Sequence, residues 1–202
     1  MTLQLYLDDA LTQPVSSGDF SQPDTDTYNG TTGETKDRPL YLANTQTTLT
    51  QAISATATQL TLARVVFNPG EIISCEDEQM QVVALGSGRT VIVTRGMALT
   101  SAKAHAKGAV LITASQYTDI VMQAVDTRGA GKAAWYTLAT SQQGLDTASA
   151  GAALDLGRKD YHDTLTVWRR CRVPSGTPVQ NNLDVQLRLT ATASPLPLGG
   201  PV

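Results

Sequence analysis

Alternation of apolar and polar residues is the feature of this 202-residue chain that most restricts its fold. Leu3, Leu5 and Leu7 alternate with more polar neighbours, and the same period runs through residues 164–173, TLTVWRRCRV. A period of two places every second side chain on one face of a β-strand, whereas a helix repeats about every 3.6 residues. Turn-forming residues separate such segments about every 8–12 positions, which is typical of a β-sandwich. The sequence therefore predicts an all-β protein built as a β-sandwich.

A change in the lengths of strands and loops along the chain predicts that a second domain interrupts the sandwich. Residues 47–112 consist of short alternating segments joined by tight turns such as GSG at 86–88, where glycine permits the backbone to reverse. Residues 1–46 and 113–193 have longer strands and longer loops. We expect these two outer segments to form the sandwich, with 47–112 inserted as a small β-barrel-like domain.

Two segments contain few strand-forming residues. Residues 16–38 are rich in Asp, Thr, Gly, Ser and Pro, which predicts a long loop in the first part of the sandwich. Residues 194–202, SPLPLGGPV, predict an extended C-terminal arm of polyproline type. We expect the loop and the arm, including Pro195 and Pro197, to contact adjacent subunits.

The composition argues against nucleic acid and membrane as partners. The formal net charge is -3, and only 16% of residues are charged, against about 25% in average soluble domains. No apolar run approaches the ~20 residues of a membrane span. A surface dominated by neutral polar residues suits a chain that packs against copies of itself or other proteins.

Residues able to carry catalysis are scarce. His105 and His162 are the only histidines, and neither has a partner at a spacing typical of metal ligands. Cys75 and Cys171 are far apart in sequence and are interpreted as small buried hydrophobes in a reduced compartment. No Gly-x-Ser-x-Gly nucleophile motif occurs. We therefore expect no catalytic residues, no metal, no cofactor and no enzymatic activity.

The segment 24–34, DTDTYNGTTGE, partly resembles a calcium-binding loop. Asp24 and Asp26 occupy the first and third positions of the EF-hand pattern, but Tyr28 stands at the fifth, where Asp or Asn is required. A loop rich in turns is the preferred interpretation, and cation binding stays open. Asp24, Asp26 and Tyr28 are retained as candidates for a subunit interface.

The segment 93–112, VTRGMALTSAKAHAKGAVLI, predicts the closure of the small domain. We expect Glu78 to form an ion pair with Arg95 at a polar edge, although Glu76 and Glu78 on one strand face are also a possible carboxylate pair for glycoside hydrolysis. Gly96 is expected to allow a turn where a Cβ would clash. His105 is expected to bond the backbone, and Gly108 to precede the last strand.

The segment 164–173 predicts a strand with two different faces. Trp168, Arg170 and Arg172 fall on one face, and Val167, Arg169, Cys171 and Val173 on the other. Trp and Arg side chains on one face form either a packing device at the core edge or the anchors of an interface. Both interpretations stay open at this point.

Three stretches resemble structural proteins of tailed bacteriophages. The segment 53–111 is similar to a small β-module of such proteins. The similarity lies in its ISATAT opening and in an Arg-Gly step that is followed by a spacer, a His and a Gly. The matching positions are Glu78, Met80, Arg95, Gly96, Thr100, Ala102, His105 and Gly108. Leu99 departs from the pattern, which usually has Gly there. The opening LYLDDALTQPVS and the ending TVWRRCRVPSGTPVQNNLDVQLRLTATA are similar to phage virion proteins with an immunoglobulin-like sandwich.

The resemblance implies a virion structural protein, assembled in the host cytoplasm, that acts by subunit packing and needs no cofactor. Its expected partners are copies of itself and other virion proteins, in the tail, neck or baseplate. One alternative is a capsid decoration protein. Another is a receptor- or glycan-binding module that uses the face of Trp168 to bind a host-surface glycan.

Overall fold

The computed structural model describes residues 3–16, 21–129, 131–178 and 184–195, and in this part of the chain the regular structure is almost entirely β. The strands before the last third are β1 Leu3–Tyr6, β2 Glu34–Asn44, β3 Gln46–Thr48, β4 Gln59–Thr61, β5 Ile72–Cys75, β6 Glu78–Leu85, β7 Thr90–Met97, β8 Val110–Thr113 and β9 Ser115–Asp126. The remaining strands are β10 Tyr136–Ala139, β11 Leu154–Lys159, β12 Leu165–Val173 and β13 Val185–Pro195. Two short 3-10 helices, Lys132–Trp135 and Gln143–Asp146, flank β10.

Two antiparallel sheets form the predicted sandwich. The first has the strand order β1-β2-β12-β10 and the second the order β11-β9-β13. Buried side chains from both sheets meet between them: Leu3 and Leu42 of the first sheet pack with Tyr117 and Ile120 of β9. The all-β, sandwich-like fold expected from the alternation is therefore confirmed.

The connectivity of the sandwich differs from that of an immunoglobulin constant domain. There, the first, second, fourth and fifth strands share one sheet, and the third, sixth and seventh share the other. In this chain the sixth sandwich strand, β12, lies beside β2, and the fifth, β11, lies beside β9. The immunoglobulin likeness thus extends to the two layers and to the four-plus-three strand count, but not to the strand order.

The strands between Gln46 and Thr113 form a separate curled sheet with the order β3-β8-β5-β6-β7-β4. Its two edge strands meet where Leu49 and Leu62 form an antiparallel bridge, so the sheet curls into a barrel-like shape. The interior contains twelve buried residues: Leu49, Ile53, Leu60, Leu62, Phe67, Ile73, Cys75, Met80, Val82, Val91, Val93 and Leu111. Both cysteines of the chain are buried free thiols.

The long loop predicted at 16–38 is shorter in the structure, because β2 already begins at Glu34. Residues 34–38, ETKDR, lack an apolar stripe, yet each pairs with a residue of β12. Backbone hydrogen bonds to a partner strand stabilise this stretch, and the sequence pattern contains no sign of them. The first two residues of the arm predicted at 194–202 belong to β13, which continues to Pro195, and residues 196–202 lie outside the described part of the chain.

A buried lysine links the sandwich to the start of the inserted sheet. Lys159 of β11 is fully buried, and its Nζ donates hydrogen bonds to Oδ1 of Asn44 at 2.8 Å and to the carbonyl oxygen of Asp160 at 2.9 Å. The amide nitrogen of Asn44 in turn donates to the carbonyl oxygens of Thr113 and Ser115. Four strands, β2, β8, β9 and β11, are thereby held together at the junction.

Raising the pH is expected to stabilise the junction. Burial lowers the pKa of Lys159 from 10.5 to about 8. Between these two pH values Lys159 is protonated in the unfolded chain but largely neutral in the folded protein. The free energy of unfolding therefore rises with pH across this range, by about 3 kcal/mol in total. Urea denaturation should show the free energy of unfolding of the wild type rising by this amount relative to that of Lys159→Met. A difference between the two proteins that does not vary with pH would contradict the assignment.

Candidate functional site

The outer face of the β1-β2-β12-β10 sheet is the strongest candidate for a functional surface. Along β12, Val167, Arg169 and Cys171 are buried, whereas Trp168 and Arg170 are partly exposed and Arg172 is exposed. This alternation confirms the two faces predicted for residues 164–173. The outer face therefore carries one tryptophan and two arginines at every second position of the strand.

A pocket of about 390 Å³ opens on this face at the end of β12. Its lining includes the apolar residues Ala134, Trp135, Leu145, Ala148, Ala150 and Pro174 and the polar residues Thr137, Asp146, Arg170 and Arg172. Small-ligand and anchor pockets have volumes of about 300–1,000 Å³ and combine an apolar lining with a few polar groups. The pocket is thus large enough to hold a side chain or a short peptide segment.

The two arginines of the pocket differ in their hydrogen-bond and ion-pair partners. Arg170 donates from Nε and Nη2 to the carboxylate of Asp37 at 2.7 and 2.9 Å, and from Nη1 to Asp146 at 2.7 Å. The hydrogen bonds from Arg170 lower the pKa of Asp37. Arg172 has neither a hydrogen bond nor an ion pair within the described residues, so its guanidinium group is available to a ligand or partner.

The tryptophan in this pocket is Trp135, not the predicted Trp168. Trp168 lies on the same face, opposite Pro39 and Ala139 in the neighbouring strands, and does not line the pocket. The cation near an indole ring is Lys132, whose Nζ lies 5.9 Å from the ring centre of Trp135. Trp135 was not among the candidates predicted from the sequence, and it lies in the 3-10 helix Lys132–Trp135 just before β10.

The acidic loop residues face inward and bind Arg169. This buried arginine of β12 forms an ion pair with Asp24 at 2.8 Å and with Asp26 at 2.7 Å, and its Nη1 donates to the Tyr28 hydroxyl at 3.1 Å. Arg38 makes a second ion pair with Asp24. Although partial burial opposes it, the hydrogen bond from Arg169 lowers the pKa of Asp26.

The structure gives the three candidate residues of this loop partners within their own chain. Asp24, Asp26 and Tyr28, which were candidates for a subunit interface with cation binding left open, bind arginines of their own chain with their polar atoms. In the described residues, no group of three His, Cys, Asp or Glu side chains is placed to hold a metal ion. The loop is attached to the sandwich because Arg169, buried on the inner face of β12, requires counter-charges.

A second buried network lies inside the barrel and contains the predicted pair of Glu78 and Arg95. Arg95 donates from Nε and Nη2 to the two oxygens of Glu78, both at 2.6 Å, and the Glu78 side chain is 0% exposed. The backbone N–H groups of Gly96 and Lys103 also donate to this carboxylate. Burial alone raises the pKa of Glu78, but the hydrogen bonds from Arg95 and His105 outweigh it and lower the pKa to about 2.

Three details of this network differ from the sequence-based expectations. Glu78 is buried and does not lie at a polar edge. Glu76 lies in the turn after β5 with a φ of 53°, so the two glutamates do not share a strand face. The ring of His105 lies 3.1 Å from Glu76 and 2.8 Å from Glu78, where a backbone contact was expected; it is the backbone of His105 that pairs with Ile53.

Two glycines of the module adopt backbone conformations that favour glycine. Gly96 has a φ of 63°, and a Cβ there would lie 3.1 Å from the carbonyl oxygen of Thr100, as expected. Gly108 has a φ of 88° two residues before β8, with no atom near its missing Cβ. At position 108 only the left-handed backbone conformation favours glycine. At position 96 the backbone conformation and the lack of space for a Cβ both favour it.

Leu99 adopts a conformation that costs stability. Ala98 and Leu99 have φ values of 53° and 65° in a turn closed by the N–H of Thr100, which donates to the carbonyl oxygen of Met97. Turns with two left-handed residues favour Gly and Asn, and each left-handed non-glycine residue costs about 1–2 kcal/mol. The Leu99 side chain is 89% exposed and therefore gains little from packing.

Leu99→Gly is expected to raise the free energy of unfolding by about 1 kcal/mol, because the relief of strain exceeds the added entropy of the unfolded chain. Thermal denaturation measures the gain. Gly88→Ala is the matched control, because Gly88 has a φ of 64° and no atom lies within 4 Å of the position that a Cβ would take. This substitution should lower the free energy of unfolding by a similar amount. A lower melting temperature for Leu99→Gly would contradict this account.

The two prolines proposed for the arm differ in what the structure shows of them. Pro195 is the last residue of β13 and pairs with Ser115 of β9. Pro197 lies outside the described residues. In the described part of the chain, no helix is long and apolar enough to cross a membrane.

A scan against protein-family models, a search of curated proteins and a search of solved structures found no significant match to this chain. What the chain does must therefore be argued from its own surface and its own buried groups.

Proposed function

We propose that this chain is a structural component of a tailed-bacteriophage particle, in the tail, neck or baseplate, and that it acts by subunit packing in a symmetric assembly. Copies of itself and other virion proteins are its partners, and no cofactor takes part. The phage assignment is supported by the sequence resemblance in the inserted module. The packing role is supported by the outer face of the sandwich.

The observation that carries the packing role is the combination of Trp168, Arg172 and a pocket on one sheet face. Trp and Arg are enriched among the few residues that supply most of the binding energy of protein interfaces. Arg172 has no partner of its own within the described residues, and the pocket beside it offers a place for an anchor from a neighbour. A free guanidinium group next to an apolar pocket is an arrangement that an interface can use.

The buried ionic networks support a structural role for the remaining candidate residues. Glu78, Arg95, Gly96 and His105, which carry the resemblance, meet in one cluster inside the barrel. The carboxylate of Glu78 accepts hydrogen bonds from side chains and backbone of its own module, and its side chain is not exposed. The motif is therefore best interpreted as the signature of a folded module.

The double variant Trp168→Ala/Arg172→Glu is expected to lose self-association. Removal of one interface anchor costs about 2 kcal/mol or more, which corresponds to an increase in Kd of about 30-fold. Sedimentation velocity over a concentration series measures the change. Arg188→Glu, on an exposed position of β13 in the other sheet, is the matched control. Self-association of the double variant equal to that of the wild type would refute the role of this face.

The capsid and glycan alternatives predict different results. A capsid decoration protein would be located on the shell by electron microscopy of the particle, whereas a tail, neck or baseplate component would be located below it. A glycan-binding module would bind to a glycan array and lose this binding in Trp168→Ala. Array binding with no self-association would replace the packing role by the receptor-binding one.

A further inference from the structure

The strand that leads into the Pro-rich segment ends far from the Trp135 pocket. β13 ends at Pro195, opposite Ser115, which lies two residues after the end of the inserted sheet at Thr113. The pocket lies at the opposite end of the sandwich, where Arg172 pairs with Thr35 near the start of β2. The two features also belong to different sheets.

The Pro-rich segment is too short to reach the pocket of its own chain. Seven strand residues, the length of β12 between the barrel end and the pocket, span about 23 Å, and stacked sheets lie about 10 Å apart, so even a straight path is about 25 Å. Seven residues span about 22 Å in polyproline II conformation and at most about 25 Å when fully extended, so even full extension only equals the straight path. A path over the surface is longer still, so only the pocket of a neighbouring copy is accessible.

The chemistry of the segment matches that of the pocket. Residues 196–202, LPLGGPV, lie outside the described part of the chain and contain no charged side chain. Pro-rich segments dock on aromatic rings, and their carbonyl groups make no internal hydrogen bonds. Trp135, Leu145 and Pro174 provide the apolar surface, and the free guanidinium group of Arg172 provides donors for the carbonyl oxygens.

We propose that the Pro-rich segment 195–202 of one copy docks in the Trp135–Arg172 pocket of the next copy. This inference rests on the proposed self-assembly and names the contact that produces it. The barrel end of one copy then faces the opposite end of the next, which is a head-to-tail contact between different surfaces. Repetition of such a contact closes a ring or continues as a filament, depending on the rotation between copies.

The test uses two full-length variants with complementary defects. The arm variant carries Pro197→Ser and Pro201→Ser, and the pocket variant carries Trp135→Ala. In sedimentation velocity, each variant alone is expected to be monomeric where the wild type associates. An equimolar mixture is expected to form a heterodimer and nothing larger, because one intact arm then meets one intact pocket. A mixture that stays monomeric, or variants that associate as the wild type does, would overturn the proposal.

A peptide measurement separates this proposal from the proposed function. A fluorescein-labelled peptide, SPLPLGGPV, is expected to bind the full-length protein saturably, and Arg172→Ala is expected to weaken binding by about tenfold or more. A control peptide has serine at each proline position. Absence of binding with intact self-association of the wild type would refute the docking contact alone. Specific peptide binding by a wild type that never self-associates would support the pocket and refute the self-packing role.

Circular dichroism melting of every variant guards against misfolding. Trp135 is partly buried, so a folding defect of Trp135→Ala is checked against Arg172→Ala, whose side chain is exposed. Both pocket variants are expected to bind the peptide at least about tenfold more weakly than the wild type, while Arg188→Ala binds it equally well. Retention of peptide binding by both pocket variants would overturn the proposal.

Discussion

Arg95→Ala is expected to destabilise the inserted barrel by about 3–5 kcal/mol, the usual loss when one partner of a buried ion pair is removed. The substitution leaves Glu78 charged and buried without its bidentate partner. It also leaves the carbonyl oxygens of Ala57 and Lys103 without the donors that Arg95 now supplies. The measurement is the urea dependence of unfolding, followed by circular dichroism.

Two further variants define the origin of this loss. Arg188→Ala removes an exposed arginine of β13 and is expected to change stability by less than about 0.5 kcal/mol. Arg95→Lys keeps the charge but not the planar fork, so an intermediate loss is expected. An unchanged melting temperature for Arg95→Ala would show that the ion pair does not support the module.

Arg169→Ala is expected to release the loop that contains Asp24, Asp26 and Tyr28. Arg169 is buried and binds all three side chains, and Arg38 alone then remains to pair with the two carboxylates. We expect a loss of about 3 kcal/mol, together with faster hydrogen exchange of backbone amides in residues 21–33. Hydrogen exchange followed by mass spectrometry measures the second effect.

The adjacent arginine is the matched control for this prediction. Arg170 lies on the same strand, but its ion pairs with Asp37 and Asp146 are on the outer face. Arg170→Ala is therefore expected to cost no more than about 1 kcal/mol and to leave exchange in residues 21–33 unchanged. Equal effects of the two substitutions would mean that the inner-face network does not hold the loop.

Strands with an apolar stripe could be predicted from the sequence, and those without one could not. Residues 165–173 alternate strongly, and β12 occupies this stretch. Residues 34–38 of β2 were missed because polar side chains occupy both faces. On the inner face Arg38 pairs with Asp24 of the loop, and on the outer face Asp37 pairs with Arg170. Pairing with β12 decides their conformation, and single-sequence patterns contain no pairing information.

For the candidate sites, the separation of the partners along the chain decided which contacts could be predicted. The pair of Glu78 and Arg95 joins adjacent antiparallel strands, β6 and β7, so its proximity could be inferred from the local hairpin pattern. The pair of Arg169 and Asp24 spans 145 positions and depends on the folding of the whole sandwich. Trp135 lines the pocket from the 3-10 helix Lys132–Trp135, and the periodicity of the sequence does not indicate this helix.

Cryo-electron microscopy of a tailed-phage particle, in which we propose that this chain is a structural component, tests the central claim most directly. We expect repeated copies of the two-sheet sandwich and its barrel at symmetry-related positions in the tail, neck or baseplate. We also expect Trp168 and Arg172 of each copy to be covered by a neighbouring chain. A particle without density for this chain, or copies whose outer sheet face is exposed to solvent, would contradict it.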